Sequence, residues 1–471
     1  MIVIHYPSKE LINWCKQTLV VKNPEYQKRV QLGYYVGKTP KSIYLYHYDY
    51  YEDVLQLPSG CLASVKQFIK DNDTIIDSRS TPKASIKSNI TLRNYQKPSA
   101  FICRHQDSGL IISFCGSGKT QMALELAAKM GLKTLFITHT QDLVQQAYDR
   151  CEECLECTKS YIKEGKVDYS GDITFALVQT LVKNLNKIPQ DKFGLVIVDE
   201  CHRTAVNASS IGMFRECIEY FAAKHKVGLS ATLSRSDGLE YCIPYIIGDI
   251  VYEIKEDNVN NKYVGIFEGE EIIRFDKGLF QTPVVIHPIR TDYSLLDKKG
   301  VYKDVFDRNG MTISFSKLIN DIASDKERND MIAKLVNGLS GSTIILSDRV
   351  GQLEYLKDKI KNSVEIDGNT KKDAREKAID DIKKGKKKVL LASYKIAKEG
   401  LDCKILQNVV FATPVKDYSV VVQCIGRCQR PYEGKDIAHV YDLIDDVKNL
   451  NRFWSERRKI YKKMNYSYEG D

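Results

Sequence analysis

The stretch Leu110-Ile-Ile-Ser-Phe-Cys-Gly-Ser-Gly-Lys-Thr120 constrains this chain more than any other. An apolar run meets a glycine-bearing loop, and a helix pattern follows at once, with Met122, Leu124, Leu126 and Met130 among alanines. Gly109 is placed as a turn residue ahead of the strand, and Gly131 as the stop of the helix. Such a strand, loop and helix offer a phosphate group backbone N–H donors and the positive end of a helix. Gly116 and Gly118, flanking Ser117, let the backbone come close, Lys119 supplies a charge to the β/γ-phosphates, and the Thr120 hydroxyl is the expected Mg²⁺ ligand. Ser113 stands where the usual pattern opens with Gly or Ala. ATP and Mg²⁺ are the ligands this predicts.

With 471 residues the chain has room for about three domains, each with its own core. It is 43% hydrophobic and 28% charged, without an apolar run of membrane-spanning length, so a soluble protein of the cytoplasm (a host's, if the chain is viral) with no membrane partner is expected. The start, Met1-Ile-Val-Ile-His-Tyr-Pro7, has no signal-peptide character. A formal charge of +9 suits a polyanionic partner. The 13 cysteines, an odd number scattered over a large chain, fit free thiols rather than a disulfide framework. Cys151, Cys154 and Cys157 cluster without a fourth ligand at a zinc interval, which favours a surface helix with free thiols over a metal site.

Patterning divides the chain into residues 1–88, 89–255, 256–337, 338–447 and 448–471. The first segment reads as a small α+β accessory domain, expected to serve DNA recognition, with Ser42 to Tyr48 as one strand and a polar linker from Asp71 to Asn89; its many tyrosines are assigned mainly to packing, with base stacking as the alternative. In 89–255, strands at Thr134–Thr138, Ile173–Leu177, Leu195–Val198 and Val227–Ser230 alternate with helices, the pattern of a parallel sheet. Residues 256–337 form a connection, with a hairpin around Tyr263 to Phe275, and the opening elements of the next unit. Strands at Thr343–Ser347, Val389–Ser393, Val409–Ala412 and Val440–Ile444 build a second sheet in 338–447, where Thr370 and Asp373 have the spacing of a capping box. The tail is a basic amphipathic helix, and docking of Phe453 and Trp454 stands level with nucleic-acid contact as its role.

Other motifs cluster at strand ends. Gln96, in Thr91-Leu-Arg-Asn-Tyr-Gln96, has an amide suited to both N6–H and N7 of adenine, with Arg93 beside it. Asp199 and Glu200 follow a buried strand: the aspartate can hold Mg²⁺ through water, and the glutamate can orient or deprotonate the attacking water. Ser230 and Thr232 close another strand. Lys398-Glu-Gly-Leu-Asp402 and Gln423-Cys-Ile-Gly-Arg-Cys-Gln-Arg430 lie in the second unit, where Arg427 and Arg430, three apart on a helix, can point at one anion. If the two sheets face each other, that anion is the γ-phosphate.

In order and completeness these motifs resemble those of the superfamily-two helicases over roughly Leu92 to Asp445. The resemblance implies two RecA-like parallel-sheet domains within an α/β chain. It makes Gln96 the adenine reader, Gly116 to Thr120 motif one, Asp199 to His202 motif two, and Ser230 and Thr232 the coupling motif three. Glu399, Gly400 and Asp402 resemble motif five, with Gly400 and Asp402 at the nucleotide, and Gln423, Gly426, Arg427 and Arg430 resemble motif six, with Gln423 and the arginines catalytic. Arg235-Ser-Asp-Gly-Leu239 and Arg328-Asn329 make the chain most similar to the group of XPB-type, type III restriction-type and phage UvsW-like enzymes. That implies ATP-driven movement on DNA, with forked or four-way DNA as substrate, 3′-to-5′ polarity, branch migration and a role in replication, recombination and repair. Phosphates would be gripped by His139, Gln179, Thr180, Arg235 and Arg349. The alternatives are an RNA strand-separating ATPase and an ATP-gated nucleic-acid clamp that does not translocate.

Overall fold

Runs such as Leu135-Phe-Ile137 and Leu195-Val-Ile-Val198, fully buried, have no polar face to turn to water, so they form central strands covered on both sides. The computed structural model describes every residue except 70–76, 115, 164, 205–211, 236, 258, 259, 261, 280, 298, 308–311, 400, 402, 470 and 471, and the side chains of 279, 372, 398 and 399. The chain separates into two units: Met1–Glu256 with Tyr263–Phe275, and Asp257–Lys262 with Asp276–Asp471.

The first unit is built on a ten-stranded sheet. Its strands run across it in the order Lys166–Val167, Lys159–Lys163, Ile173–Leu177, Thr134–Thr138, Leu195–Asp199, His225–Ser230, Ser108–Ile112, Ile250–Asp257, Lys262–Phe267 and Glu270–Asp276. From Lys159–Lys163 to Ile250–Asp257 neighbours are parallel. The four expected strands lie side by side, and Tyr263 and Phe275 fall in the last two, as the hairpin reading required. Gly109 is not a turn residue. It lies inside the strand Ser108–Ile112, where a Cβ would meet the Val251 side chain at 2.4 Å, so it makes room for the adjacent strand.

The N-terminal segment is part of this unit. Ile2–His5, Val54–Leu57 and His47–Asp49 form a three-stranded antiparallel sheet, while Val20–Lys22 pairs with Ser42–Tyr44. The run expected as one strand from Ser42 is therefore two, broken where the buried Leu45 turns its N–H to the carbonyl of Leu19. The core of this segment, with Leu11, Cys15, Leu19, Leu55 and Leu57, also takes in Leu239 and Cys242 from beyond the sheet strand His225–Ser230. Arg215 fastens the junction by donating to the carbonyls of Tyr44 (3.3 Å) and Leu45 (3.0 Å).

Residues 71–76 of the expected linker lie outside the description, and the remainder is not loose. Ser80 Oγ donates to the Phe193 carbonyl (2.8 Å), Ala84 N–H to that of Gly131 (2.9 Å), and Lys87–Ser88 pairs with Leu155–Glu156. Polar composition there feeds hydrogen bonds to residues that lead into the central strands. The cysteine cluster is also less exposed than expected: Cys151 is fully buried on the helix Gln141–Cys154, with its Sγ 3.8 Å from that of Cys157. The described cysteines are free thiols, and no group of three or more potential ligands is placed to hold a metal among the described residues.

The second unit has a seven-stranded parallel sheet in the order Ser363–Ile366, Val389–Ala392, Ser342–Leu346, Leu406–Phe411, Ala438–Ile444, Val284–Arg290 and Ser467–Tyr468. Two buried ion pairs pin its strand ends. Arg328 meets Asp445 at 2.6 Å and the Ala412 carbonyl at 2.7 Å; Arg457 meets Asp442 at 2.7 Å and the Val415 carbonyl at 2.6 Å. The helix Lys448–Lys463 is thus docked through Arg457, Ile460 and Tyr461, while Arg452, Arg458 and Lys459 face water. Thr370 does not cap the helix Lys372–Lys383, whose N-cap is Lys371. Its hydroxyl closes a turn on Asp367 instead (2.6 Å). Among the described residues no helix is long and apolar enough to cross a membrane.

Candidate nucleotide site and its coupling residues

In the first unit the Ser108–Ile112 strand delivers the chain into the loop, and the helix Lys119–Met130 leaves it. Gly116 (φ 83°) and Gly118 (φ 82°) take the left-handed conformation that lets the loop curl, and Gly131 (φ 59°) ends the helix as expected. A Cβ on Gly118 would lie 2.5 Å from Gln96 Nε2, so the cradle admits no side chain there. Lys119 Nζ is held over the loop by the carbonyls of Ser113 (3.1 Å) and Phe114 (3.3 Å). The hydroxyls of Ser113 and Ser117 are buried without a hydrogen-bond partner among the described residues. In a site that brings an oxygen-rich ligand, unpaired donors next to a lysine are what phosphate binding needs.

Gln96, 2% exposed, is fixed against this loop. Its Nε2 donates to the Ser117 carbonyl (2.7 Å), its Oε1 accepts from Arg93 N–H (2.9 Å), and Tyr95 OH donates to the same Ser117 carbonyl (2.9 Å). The described contacts leave one Nε2 hydrogen and one Oε1 lone pair for a base. Rings back this corner: Tyr95 stacks on Phe275 (4.6 Å) and Phe114 on Tyr263 (4.1 Å). Sequence reasoning put Tyr95 beside Gln96 but not the stacks, whose partners are far apart in the chain.

Asp199 ends the strand Leu195–Asp199, and Glu200 follows at φ 52°, a left-handed conformation that costs a non-glycine residue roughly 1–3 kcal/mol. Glu200 N–H donates to Asp199 Oδ1 (3.0 Å). Burial first and the adjacent Glu200 second push the Asp199 carboxyl above the usual range, while Lys119 opposes. Burial acts to raise Glu200 as well, but the His202 hydrogen bond and the charge of Lys119 outweigh it and hold that carboxyl ionised. A crowded carboxylate pair facing one lysine, with the Thr120 hydroxyl unpartnered among the described residues, fits a divalent cation. Asp199 and Thr120 are the residues that would hold it.

His202 joins two motifs. Its Nδ1 is 3.1 Å from Ser230 Oγ and 3.2 Å from Glu200 Oε2. Ser230 Oγ–H is committed to the Thr232 carbonyl (2.5 Å), so Nδ1 carries the proton and donates. Nothing in the sequence pattern had given His202 a role beyond completing its tetrapeptide. Arg235, expected at nucleic acid, has its guanidinium on Asp237 (2.6 and 2.8 Å) and on the His202 carbonyl. Asp237 Oδ1 in turn accepts from Leu239 N–H (3.2 Å). Gln179 Nε2 donates to the His139 carbonyl (3.0 Å), which brings those two together, and the Thr180 carbonyl accepts from Asn184 (2.8 Å).

In the second unit, Gln423, Arg427 and Arg430 lie on or just past the helix Tyr418–Cys428; Gln423 is buried, the arginines are half-buried, and Arg427 Nε donates to the Ala397 carbonyl (3.0 Å). Arg349 Nε donates to Asn320 Oδ1 (2.5 Å). Gly400 and Asp402 lie outside the described residues, as does the Glu399 side chain.

Residues 63–235 match the type III restriction enzyme res-subunit family, and 327–432 the helicase conserved C-terminal domain. Over 385 residues the chain is 26% identical to the DNA 3′-5′ translocase XPB2 of Sulfurisphaera tokodaii, covering 78% of this chain and 84% of that one. It is 27% identical to L396 of Acanthamoeba polyphaga mimivirus, which is named for an ATP-dependent RNA helicase, covering 77% of this chain and 65% of that one. With the ATP-dependent DNA helicase uvsW of phage T4 it shares 26% identity, over 64% of this chain and 56% of that one. The structure of Saccharomyces cerevisiae Dbp5 bound to RNA and ADP BeF3 overlays with a TM-score of 0.56 at 14% identity, covering 88% of this chain and 93% of that one, a likeness of fold.

Proposed function

We propose that this chain, a superfamily-two helicase of the XPB-like and type III restriction-like group, is an ATP-driven DNA translocase that remodels branched DNA. The observation that supports the reading is a chain of close polar contacts in the first unit, bonded from His202 onward. It runs from Glu200 through His202 to Ser230, and from the His202 carbonyl through Arg235 and Asp237 to Leu239, which sits in the core of the N-terminal segment. A change at the glutamate assigned to hydrolysis would thereby reach the N-terminal segment. That arrangement suits a motor that couples ATP turnover to an attached DNA-recognition element.

In this reading Lys119, Ser117 and the loop N–H groups bind the triphosphate of ATP, Gln96 and Arg93 seat the adenine, and Glu200 orients the attacking water and takes its proton. Bound Mg²⁺ would neutralise phosphate charge from Thr120 and Asp199. Gln423, Arg427 and Arg430 are assigned catalytic roles in phosphoryl transfer, and Gly400 and Asp402 nucleotide binding. His139, Gln179, Thr180 and Arg349 are assigned to the DNA backbone. For Arg235 the bonds to Asp237 and His202 favour a coupling role over direct DNA contact.

A second reading, strand separation in RNA, draws on the name of the mimivirus relative. The test is the ATPase rate alone and with single-stranded DNA, plain duplex, forked DNA, four-way DNA and structured RNA, with Lys119→Ala as the blank. Strongest stimulation by forked or four-way DNA is expected; stimulation by RNA alone would replace this reading with the second, and none at all would leave an ATP-gated clamp.

A further inference from the structure

The loop between the helix Pro24–Gln31 and the strand Ser42–Tyr44 holds two aromatic rings open to water. Tyr34 is 65% exposed and Tyr35 87%, in a segment where packing would bury them. The backbone beneath is tied down. Tyr34 N–H donates to the Arg29 carbonyl (2.8 Å), Arg29 Nη1 to the Tyr35 carbonyl (3.2 Å), and the buried Asn23 closes the loop's base through Nδ2 to the Pro40 carbonyl (2.7 Å). Open rings on a fixed backbone lose little conformational entropy when a partner stacks on them.

The charge around them has one sign. From Lys22 to Tyr51 the acids are Glu25 and Asp49: Glu25 is taken by Arg29 (2.8 Å), and Asp49 accepts the N–H of Tyr51 (2.8 Å). Lys22, Lys28, Lys38 and Lys41 are exposed and form no ion pair among the described residues. The pairing of Val20–Lys22 with Ser42–Tyr44 sets Val21 and Ile43 to the core, so Lys22 and the 58%-exposed Tyr44 share the solvent face. Aromatic faces among unpaired lysines match a polyanion with exposed ring faces, which is an unpaired nucleic-acid strand; paired bases offer no free face.

We infer that Tyr34 and Tyr35, flanked by Lys38 and Lys41, form a stacking site for unpaired bases, by which the N-terminal segment senses the single-stranded arm of a branched substrate. The inference rests on the proposed DNA motor and names the surface that would give it a preference for branches. The rings stack and the lysines hold the backbone, so binding there is tolerant of sequence and weakened by salt.

The test uses the full chain carrying Tyr34→Ala with Tyr35→Ala, and separately Tyr34→Phe with Tyr35→Phe. Affinity is measured for labelled oligodeoxythymidylate, for a fork with one unpaired arm and for a plain duplex, beside duplex-stimulated ATPase. The alanine pair is expected to lose roughly tenfold or more on the oligonucleotide and the fork while staying within about twofold on duplex and ATPase, and the phenylalanine pair to bind as the parent does. Equal loss on duplex and fork, or no loss on the fork, would overturn the stacking site; the second outcome would mark the rings as a protein-docking patch. If no DNA stimulates the parent protein's ATPase, the motor reading fails, and the oligonucleotide arm still decides the stacking site on its own.

Discussion

His202 Nδ1 donates across 3.1 Å to Ser230 Oγ, the last residue of the strand His225–Ser230, while standing 3.2 Å from Glu200 Oε2, so the imidazole lies between the proposed hydrolytic carboxylate and the end of the next strand. If Glu200 is the hydrolytic residue proposed above, this contact is the route by which turnover would reach the strand end. Ser230→Ala removes an acceptor with little change of shape, worth about 1 kcal/mol. ATP turnover is expected to fall by no more than about threefold, and DNA strands displaced per ATP by about tenfold. Both are read in one reaction with forked DNA; equal losses would show that the contact serves the chemistry alone.

Glu200→Gln keeps size and removes the base. Turnover is expected to drop by about 10²–10⁴, the range for loss of a positioned general base, with nucleotide affinity little changed. Lys119→Ala should do the reverse in binding, because its ammonium, held by the Ser113 and Phe114 carbonyls, is the charge proposed to meet the phosphates. Fluorescent-nucleotide titration beside single-turnover hydrolysis separates the two, and a Glu200→Gln protein that fails to bind nucleotide would remove the glutamate from its catalytic role.

Much of this architecture was legible because its signals are local. Unbroken apolar runs such as Leu195-Val-Ile-Val198 can only be central strands, and the glycines of the loop need left-handed φ angles that few other residues accept. What the sequence hid was long-range. Nothing near Gly109 announces that Val251 lies against it, and the polar stretch before Asn89 looks free until its hydrogen bonds to Phe193 and Gly131 are seen. Arg235 was expected at nucleic acid, and its bonds to a carboxylate two residues away were not legible in the sequence. The tyrosines of the N-terminal segment split by position: Tyr44 and Tyr35 are open, while Tyr46 and Tyr48 are partly covered. Alternation alone could not tell which face the core would take.

Lys226 lies 1% exposed on the sheet strand His225–Ser230, and burial, helped by Arg79 and opposed by Glu219, lowers its pKa to about 8. An unfolded lysine titrates near 10.4. Between those values the unfolded chain binds more protons, so the stability of the first unit should rise as pH goes from about 8 to about 10 and be lost as pH falls back through that window. The full span is about 3 kcal/mol. Lys226→Met keeps the volume without the charge; it should raise the melting temperature at pH 7 and flatten the alkaline rise. An unchanged pH profile in thermal melts would place the amine in water.

The helix Lys448–Lys463 carries two kinds of arginine, and one pair of substitutions separates docking from nucleic-acid contact as its role. Arg457 is 2% exposed and its partner Asp442 is fully buried, joined also to Tyr461 OH (2.6 Å). Arg457→Leu would take the guanidinium from the Val415 carbonyl and from a buried carboxylate left with Tyr461 OH and no counter-charge, which typically costs about 3–5 kcal/mol. Adding Asp442→Asn should recover part of that loss, because the stranded charge is gone. Arg458→Ala, on the water-facing side, should move stability by less than about 0.5 kcal/mol. Chemical denaturation of the second unit measures all three, and DNA affinity under folding conditions completes the comparison. If the helix serves docking, Arg457→Leu lowers the denaturation midpoint while Arg458→Ala leaves DNA affinity intact; a large affinity loss in the stable Arg458→Ala protein would instead make the exposed face of this helix part of the DNA grip.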